Sequence, residues 1–170
     1  MAALDTWLRL IKPITPQFVG VVSINEDDYL HIFGRKSPLD PQTLKTLIQA
    51  IAQGDPVVIG VDIDTSDTEW QNIAPDLVAL SGERTALVWE QEAIGEEEPL
   101  TPLKILGGAE ITPESISGIA GLFQDWDGVV RRYQRHFRAT GVKEGQVEMV
   151  DSFPWAIVKA FYQKSPSRLP

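Results

Sequence analysis

The amino-acid sequence predicts an α/β fold: a mixed central sheet with a parallel βαβ core of three strands, an antiparallel hairpin addition, and helices on both faces. The run Val57–Asp64 is nearly all apolar and rich in β-branched residues, which is typical of a strand buried on both faces. Apolar residues at helical spacing between Pro41 and Ala52 precede that strand. An Asp127-Gly128 turn between two β-rich runs predicts the hairpin.

The N-terminal part of the chain is expected to supply the first βαβ unit. Residues 4–11 carry apolar side chains at helical spacing and predict a short helix, either packed on the domain or continuing from an upstream segment. The apolar run Phe18–Ile24 predicts a first buried strand. Asp40 is the expected N-cap of the next helix, with Pro41 in its first position. The strand that opens after Pro56 then completes the unit.

The following segment predicts one helix, one strand and one loop. Asp67 is positioned to cap a helix that Pro75 interrupts, and Thr85–Glu90 has the composition of a third strand. Five acidic residues then fall within residues 90–98 and indicate a solvated loop. A calcium-binding loop is the alternative, but the spacing of these acids does not match an EF-hand.

The C-terminal part predicts the hairpin and a last helix. The two arms are Ile116–Phe123 and Val129–Phe137, although apolar residues four apart in the second arm leave a helix open there. Ser152 is expected to cap the last helix. With 170 residues the chain is predicted to be a single domain, with a core of about residues 5–163.

Composition excludes several classes of function. The net charge of −9 argues against non-specific binding to nucleic acid or to anionic membranes. The absence of cysteine rules out disulfides and thiolate chemistry, and two isolated histidines make a zinc site improbable. No apolar run is long enough for a membrane span, and the N-terminus lacks the features of a signal peptide. No metal or cofactor is expected.

Four acidic residues are the best candidates for chemistry. Asp62 and Asp64 lie two apart at the C-terminal end of a strand and should share a face, while Asp125 and Asp127 flank the hairpin turn. Paired carboxylates hold Mg²⁺ or Ca²⁺, or divide general acid and base roles, in many sites. The alternative is structural, since Asp at strand ends and turns accepts hydrogen bonds from nearby backbone amides.

The arm after the turn is rich in arginine residues, among them Arg131 and Arg132. A guanidinium can bind a carboxylate or phosphate in bidentate fashion, but internal pairing is the simpler expectation in a chain with more acids than bases. The sequence contains no nucleophile elbow, P-loop or dinucleotide fingerprint. Two hypotheses besides ligand binding therefore stay open: a metal-dependent hydrolase that uses the four aspartates, and a dimerisation or interaction module.

The hairpin region carries a recognisable pattern. Gly121 followed by Asp125-Trp126-Asp127-Gly128-Val129-Val130-Arg131-Arg132 is similar to the "Gly … Asp-x-Asp-Gly-x-x-Arg-Arg" signature of the CHASE sensory domains of the second class. Phe18–Asp28 resembles the opening strand of that family, and Leu44–Asp64 resembles its helix and "Ile-Gly-x-Asp-Ile" strand. Ser152–Ala156 resembles the start of its last helix. The resemblance covers about residues 5–163.

The resemblance implies an extracytoplasmic ligand-sensing domain, periplasmic or at the cell surface, in a bacterial membrane receptor. In such receptors membrane helices flank the domain, and the cytoplasmic output is a histidine kinase, a nucleotide cyclase or a Ser/Thr kinase. The excised domain would not be an enzyme. Its partner would be an unknown small-molecule or protein ligand, with a homodimer possible and no nucleic acid. The expected ligand contacts are Asp62, Asp64, Asp127, Arg131 and Arg132.

One loop departs from the family pattern. The family commonly has a Trp-Pro-Trp-x-Arg loop before its first long helix, whereas the equivalent loop here is Arg35–Asp40 and contains no aromatic residue. If the aromatic loop shapes a ligand pocket, this chain is expected to bind a different ligand or to have lost the pocket.

Overall fold

A parallel sheet of three strands lies at the centre of the molecule. The computed structural model describes residues 18–37, 39–81, 85–95, 98–109, 116–121, 134–140 and 146–165. The sheet has the order β1–β2–β5, with β1 at Val58–Val61, β2 at Ala86–Gln91 and β5 at Ile116–Ile119. Both pairings are parallel, so all three strands end at the same edge. The predicted α/β fold with a parallel core of three strands is therefore confirmed.

Helices cover both faces of this sheet. Side chains alternate along the strands: Ile59 and Leu87 belong to one buried cluster, whereas Val58 and Val88 belong to another. The described helices are α1 at Glu26–His31, α2 at Pro41–Ala52, α3 at Ala74–Leu80 and α4 at Phe153–Lys164. The first cluster packs against α1, α2 and α3, and the second packs against α4. This two-faced burial explains the continuous apolar composition of the strands.

N-cap residues and prolines lie at the starts of these helices, at the positions that the sequence predicts. The Asp40 carboxylate accepts hydrogen bonds from the amide and hydroxyl of Thr43, at 2.9 and 2.8 Å, and Pro41 occupies the first position of α2. Asp67 caps a 3₁₀ helix, Thr68–Asn72, that precedes α3. Ser152 occupies the N-cap position of α4, but its side chain makes no capping hydrogen bond. None of the described helices has the length and hydrophobicity needed to cross a membrane.

The antiparallel additions are small. β3 (Ala93–Ile94) pairs with β4 (Thr101–Pro102), and β6 (His136–Thr140) pairs with β7 (Val147–Asp151). The predicted hairpin turn at residues 124–128 lies outside the described residues. The described parts of its two predicted arms pair elsewhere, β5 with β2 and β6 with β7, so the antiparallel additions that the structure describes are β3–β4 and β6–β7.

The predicted strand Phe18–Ile24 is wrong for this structure. These residues pair with no described strand, and the side chains of Phe18 and Val21 are 95% and 86% exposed. Ile24 alone in this run packs against the core. Apolar, β-branched composition makes a segment fit for a strand, but a strand also needs a neighbouring edge that satisfies its backbone. The βαβ unit of the structure is instead β1–α3–β2.

Candidate functional site

The carboxyl ends of the three parallel strands border one open cavity of about 510 Å³. This edge is where open α/β sheets commonly bind their ligands. Each strand contributes residues at its end or in the segment that follows it. The described residues of the lining are Asp62, Ile63 and Asp64 after β1, Glu90 near the end of β2, Glu92 and Ala93 directly after β2, and Ala120 after β5.

Two of the predicted site residues, Asp62 and Asp64, therefore lie on the wall of this cavity. β1 ends one residue before Asp62, so both side chains belong to the loop that leaves the strand. Asp64 Oδ1 accepts a hydrogen bond from the Ser66 amide at 2.8 Å, which is the structural role expected of an aspartate at a strand end. Whether these two carboxylates bind a ligand stays a prediction.

Glu90 is the site residue that sequence reasoning missed. It was expected as the last residue of the strand Thr85–Glu90 and as the first acid of a solvated run. It lies inside β2, in agreement with the predicted strand, but it is only 5% exposed. Burial, followed by repulsion from Glu92, Asp62 and Asp64, raises the pKa of Glu90 to about 7. The register of the sheet explains this repulsion: Val61 lies beside Trp89, so the next residue of each segment brings Asp62 beside Glu90.

The loop after β1 is anchored by a buried threonine. Thr65 is 2% exposed, and its hydroxyl accepts a hydrogen bond from the Leu106 amide at 3.1 Å. Its carbonyl accepts one from the Gly107 amide at 2.8 Å. Gly107 has a φ of +65°, and a Cβ there would lie 2.6 Å from the Asp67 carbonyl, so only glycine fits. These contacts hold the loop that carries both aspartates against a second segment of the chain.

The end of β2 is fixed in a similar way. The Gln91 side chain donates a hydrogen bond to the Leu103 carbonyl at 2.7 Å, and the Leu103 amide donates to the Glu92 carbonyl at 2.7 Å. Glu90 and Glu92 consequently project from a backbone that is tied on both sides of Gln91. Such anchored strand ends provide a preorganised wall for a binding site.

A second open cavity of about 390 Å³ adjoins the first. The two share Ile63 and Asp64, and the loop before α2 contributes Ser37 and Leu39 to the second. The segment that lacks the aromatic residues of the family pattern therefore still borders a cavity, and it does so with small and aliphatic side chains. This arrangement suits the expectation of a ligand different from one bound by an aromatic loop.

The structure does not describe the other predicted site residues. Asp125, Asp127, Arg131 and Arg132 lie outside the described residues. From the same arm, the guanidinium of Arg135 lies 4.6 Å from the ring centroid of Trp155 and is absent from the cavity lining. Within the described ranges, no group of three or more His, Asp or Glu residues is arranged to hold a metal ion. The described acids alone thus do not form the metal centre of the hydrolase hypothesis.

Comparison with known families decides the class of the protein. The family model described as "CHASE2 domain" matches residues 1–169. The chain belongs to the CHASE2 domain family. CHASE2 domains are extracytoplasmic sensor modules of bacterial signal-transduction receptors, so this chain is a sensor domain by family. No curated protein and no solved structure matches the chain significantly.

Proposed function

We propose that this CHASE2 domain is the ligand-sensing part of a membrane-tethered bacterial receptor and that the cavity at the carboxyl edge of the sheet is its sensing site. The receptor's output is a cytoplasmic histidine kinase, nucleotide cyclase or Ser/Thr kinase. The observation that carries the proposal is the convergence of three strand ends on one cavity, with charged side chains on its wall. The ligand is a small molecule, because a volume of about 510 Å³ suits one.

The position of the site suggests how binding is transmitted. Glu90 pairs in register with Gly118 on β5, and a Cβ at Gly118 would lie 2.6 Å from the backbone of Phe153, the first residue of α4. α4 also packs on β2 through Ala156 and Ala160. A change in packing around Glu90 therefore reaches the start of the last described helix directly. Ligand binding acts by shifting the population between two arrangements of this contact.

A ligand screen tests the sensing site. A metabolite library is screened by thermal shift, and each stabilising compound is retested on the double variant D62N/D64N and on E148Q. Glu148 is an exposed acid on β7, remote in sequence from the cavity, and is the matched control. We expect the stabilisation to be lost in D62N/D64N and kept in E148Q. A library without any stabiliser, or stabilisers that ignore both aspartates, would refute this site.

Membrane tethering is tested on the full-length gene product. Reporter fusions placed on either side of the domain should show that it lies outside the cytoplasm, with membrane helices flanking it. Activity of the domain in the cytoplasmic compartment, with no adjoining membrane helix, would contradict the receptor model.

The exposed apolar segment Phe18–Val22 is the proposed surface of a homodimer. Four of its five residues are large hydrophobics, each at least 60% exposed, and no charged residue interrupts the run. A contiguous exposed apolar surface is typical of interaction sites. Sedimentation equilibrium of the chain should show a dimer that the double variant F18S/V21S weakens, whereas V147S, at an exposed valine on β7, leaves it intact. A wild-type chain that stays monomeric at high concentration would exclude this surface.

A further inference from the structure

The cavity wall is strongly acidic. Among the described residues that line it, four are carboxylates and none is basic. The Asp64 carboxylate accepts a hydrogen bond from the Ser66 amide. The side chains of Asp62, Glu90 and Glu92 accept no hydrogen bond from the described residues. Such a wall repels anions and attracts cations.

Glu90 supplies an independent sign that the cavity has an occupant. Its side chain lines the cavity, the residue is 95% buried, and neither an ion pair nor a hydrogen bond from the described chain compensates it. A buried carboxylate without a partner is costly and is relieved either by a proton or by a positively charged group. Within the described part of the chain, the charges that act on Glu90 are those of Glu92, Asp62 and Asp64, all of the same sign.

The shape of the cavity favours an organic cation over a metal ion. Hard metal ions need several oxygens at short range, and the described acids do not form such a group. The cavity is also far larger than an ion, and Ile63, Ala93 and Ala120 give it apolar wall that can contact an alkyl chain. The N–H donors of an ammonium or guanidinium group can reach separate carboxylates without a coordination sphere.

We propose, on the basis of the sensing function above, that the cavity binds a small aliphatic amine or guanidine whose cationic head pairs with Glu90. Asp62 and Glu92, which are both exposed at the mouth of the cavity, receive the second charge of a two-headed cation. The alkyl part of the ligand lies against Ile63 and Ala93. Binding neutralises the buried charge of Glu90 and so stabilises the packing of β2 and β5 next to α4.

The inference makes the affinity dependent on pH with a defined sign. Burial and the acidic neighbours Glu92, Asp62 and Asp64 raise the pKa of Glu90 to about 7. A proton competes with the cation for Glu90, so the affinity should increase as the pH rises from 5 through about 7 and then level off. An affinity that stays constant between pH 5 and about 7 would contradict the pairing of the cation with Glu90.

Isothermal titration calorimetry on the full chain with matched probes tests the inference. The probes are 1,4-diaminobutane and agmatine as cations, butane-1,4-diol as the neutral analogue, succinate as the anion, and MgCl₂ and CaCl₂ as metals. We expect the two cations to bind and the others not to bind. E90Q should weaken cation binding by about ten-fold to a hundred-fold, because a charge-assisted hydrogen bond is lost, and E148Q should not change it. Circular dichroism checks that both variants fold.

The outcomes separate the ligand class from the sensing function. Binding of Mg²⁺ or Ca²⁺ alone, or of succinate or the diol at the cavity, overturns the organic-cation inference and leaves the sensing site in place. Cation binding that is equally strong in E90Q also overturns it. If neither these probes nor the metabolite library change the amide hydrogen exchange of residues 62–64 and 90–93, both the inference and the proposed sensing site fail.

Discussion

Replacing Glu90 with glutamine should stabilise the protein above neutral pH and leave it nearly unchanged in acid. Glutamine keeps the size and polarity of a protonated glutamate, so E90Q removes the buried charge and little else. The carboxyl group has its usual pKa of 4.5 in the unfolded chain and a pKa of about 7 in the folded protein, raised by burial and by three neighbouring acids. The folded state therefore binds more protons than the unfolded state between these values.

The sign and size of the effect follow from this difference. The contribution of Glu90 to the stability of the wild-type protein falls as the pH rises from 4.5 to about 7, and the full deficit is present above that range. The rise of the pKa corresponds to about 3 kcal/mol, which is an upper figure because water enters an open cavity. E90Q lacks this deficit. For a chain of this size the variant's midpoint of thermal unfolding should be up to roughly 10 °C higher at pH 8.

Urea and thermal unfolding of the wild-type chain, E90Q and E148Q at several pH values from 4.5 to 8 measure this effect. The difference between E90Q and wild type should be near zero at the acid end and should grow through the range. E148Q, which replaces an exposed acid, should show the same dependence of stability on pH as the wild type. If E90Q is less stable than wild type at pH 8, or differs from it by the same amount at every pH, then Glu90 does not carry an uncompensated buried charge.

Four further substitutions test the scaffold by chemical denaturation. G118A should cost about 1 to 3 kcal/mol, because its Cβ would lie 2.6 Å from backbone atoms at the start of α4. G60A should cost less, since its Cβ meets a movable side chain, and an equal or larger cost for G60A would contradict this account. D40A should cost about 1 kcal/mol at neutral pH. Hydrogen bonds from Thr43 hold the pKa of Asp40 below its usual value of 3.8. The stability that the cap contributes should therefore disappear as the pH falls through that lowered pKa. A cost of D40A that persists in strong acid would refute the cap. T65V should cost about 1 to 3 kcal/mol by leaving the buried Leu106 amide without an acceptor, and a neutral effect would show that the anchor is dispensable.

The local elements of the fold were predictable because their signals are local. Asp40 and Pro41 determine where α2 begins, and the apolar composition of residues 57–61 reports burial of β1 on both faces. Asp67 and Pro75 likewise correspond to the capped 3₁₀ turn and the start of α3. In each case the information lies within a few residues of the element it specifies.

Pairing between distant segments was not predictable in the same way. The run Phe18–Ile24 has the composition of a strand, yet no described strand lies beside it. The arms of the predicted hairpin have the composition of strands, which suits many partners, and their described residues, in β5 and β6, pair with β2 and β7. Composition reports how well a segment fits a sheet, whereas the choice of neighbour depends on the packing of the whole chain.

The candidate site shows the same division. Asp62 and Asp64 were found because parallel strands direct their carboxyl ends toward a ligand edge, and the structure places both on the cavity wall. Glu90 was missed because it opens a run of acids that looks solvated in sequence. Its burial depends on its register beside β1 and β5, which only the assembled sheet reveals. A buried acid at the end of a central strand is therefore a feature to seek once strand neighbours are known.

Amide hydrogen exchange of the chain, with and without a stabilising ligand, tests most directly whether the carboxyl edge of the sheet is the sensing site. Binding should slow exchange in residues 62–66 and 90–93, and to a smaller extent at the start of α4, where β5 contacts Phe153. Protection confined to other regions, such as the exposed segment from Phe18 to Val22, would place the ligand elsewhere and contradict the account.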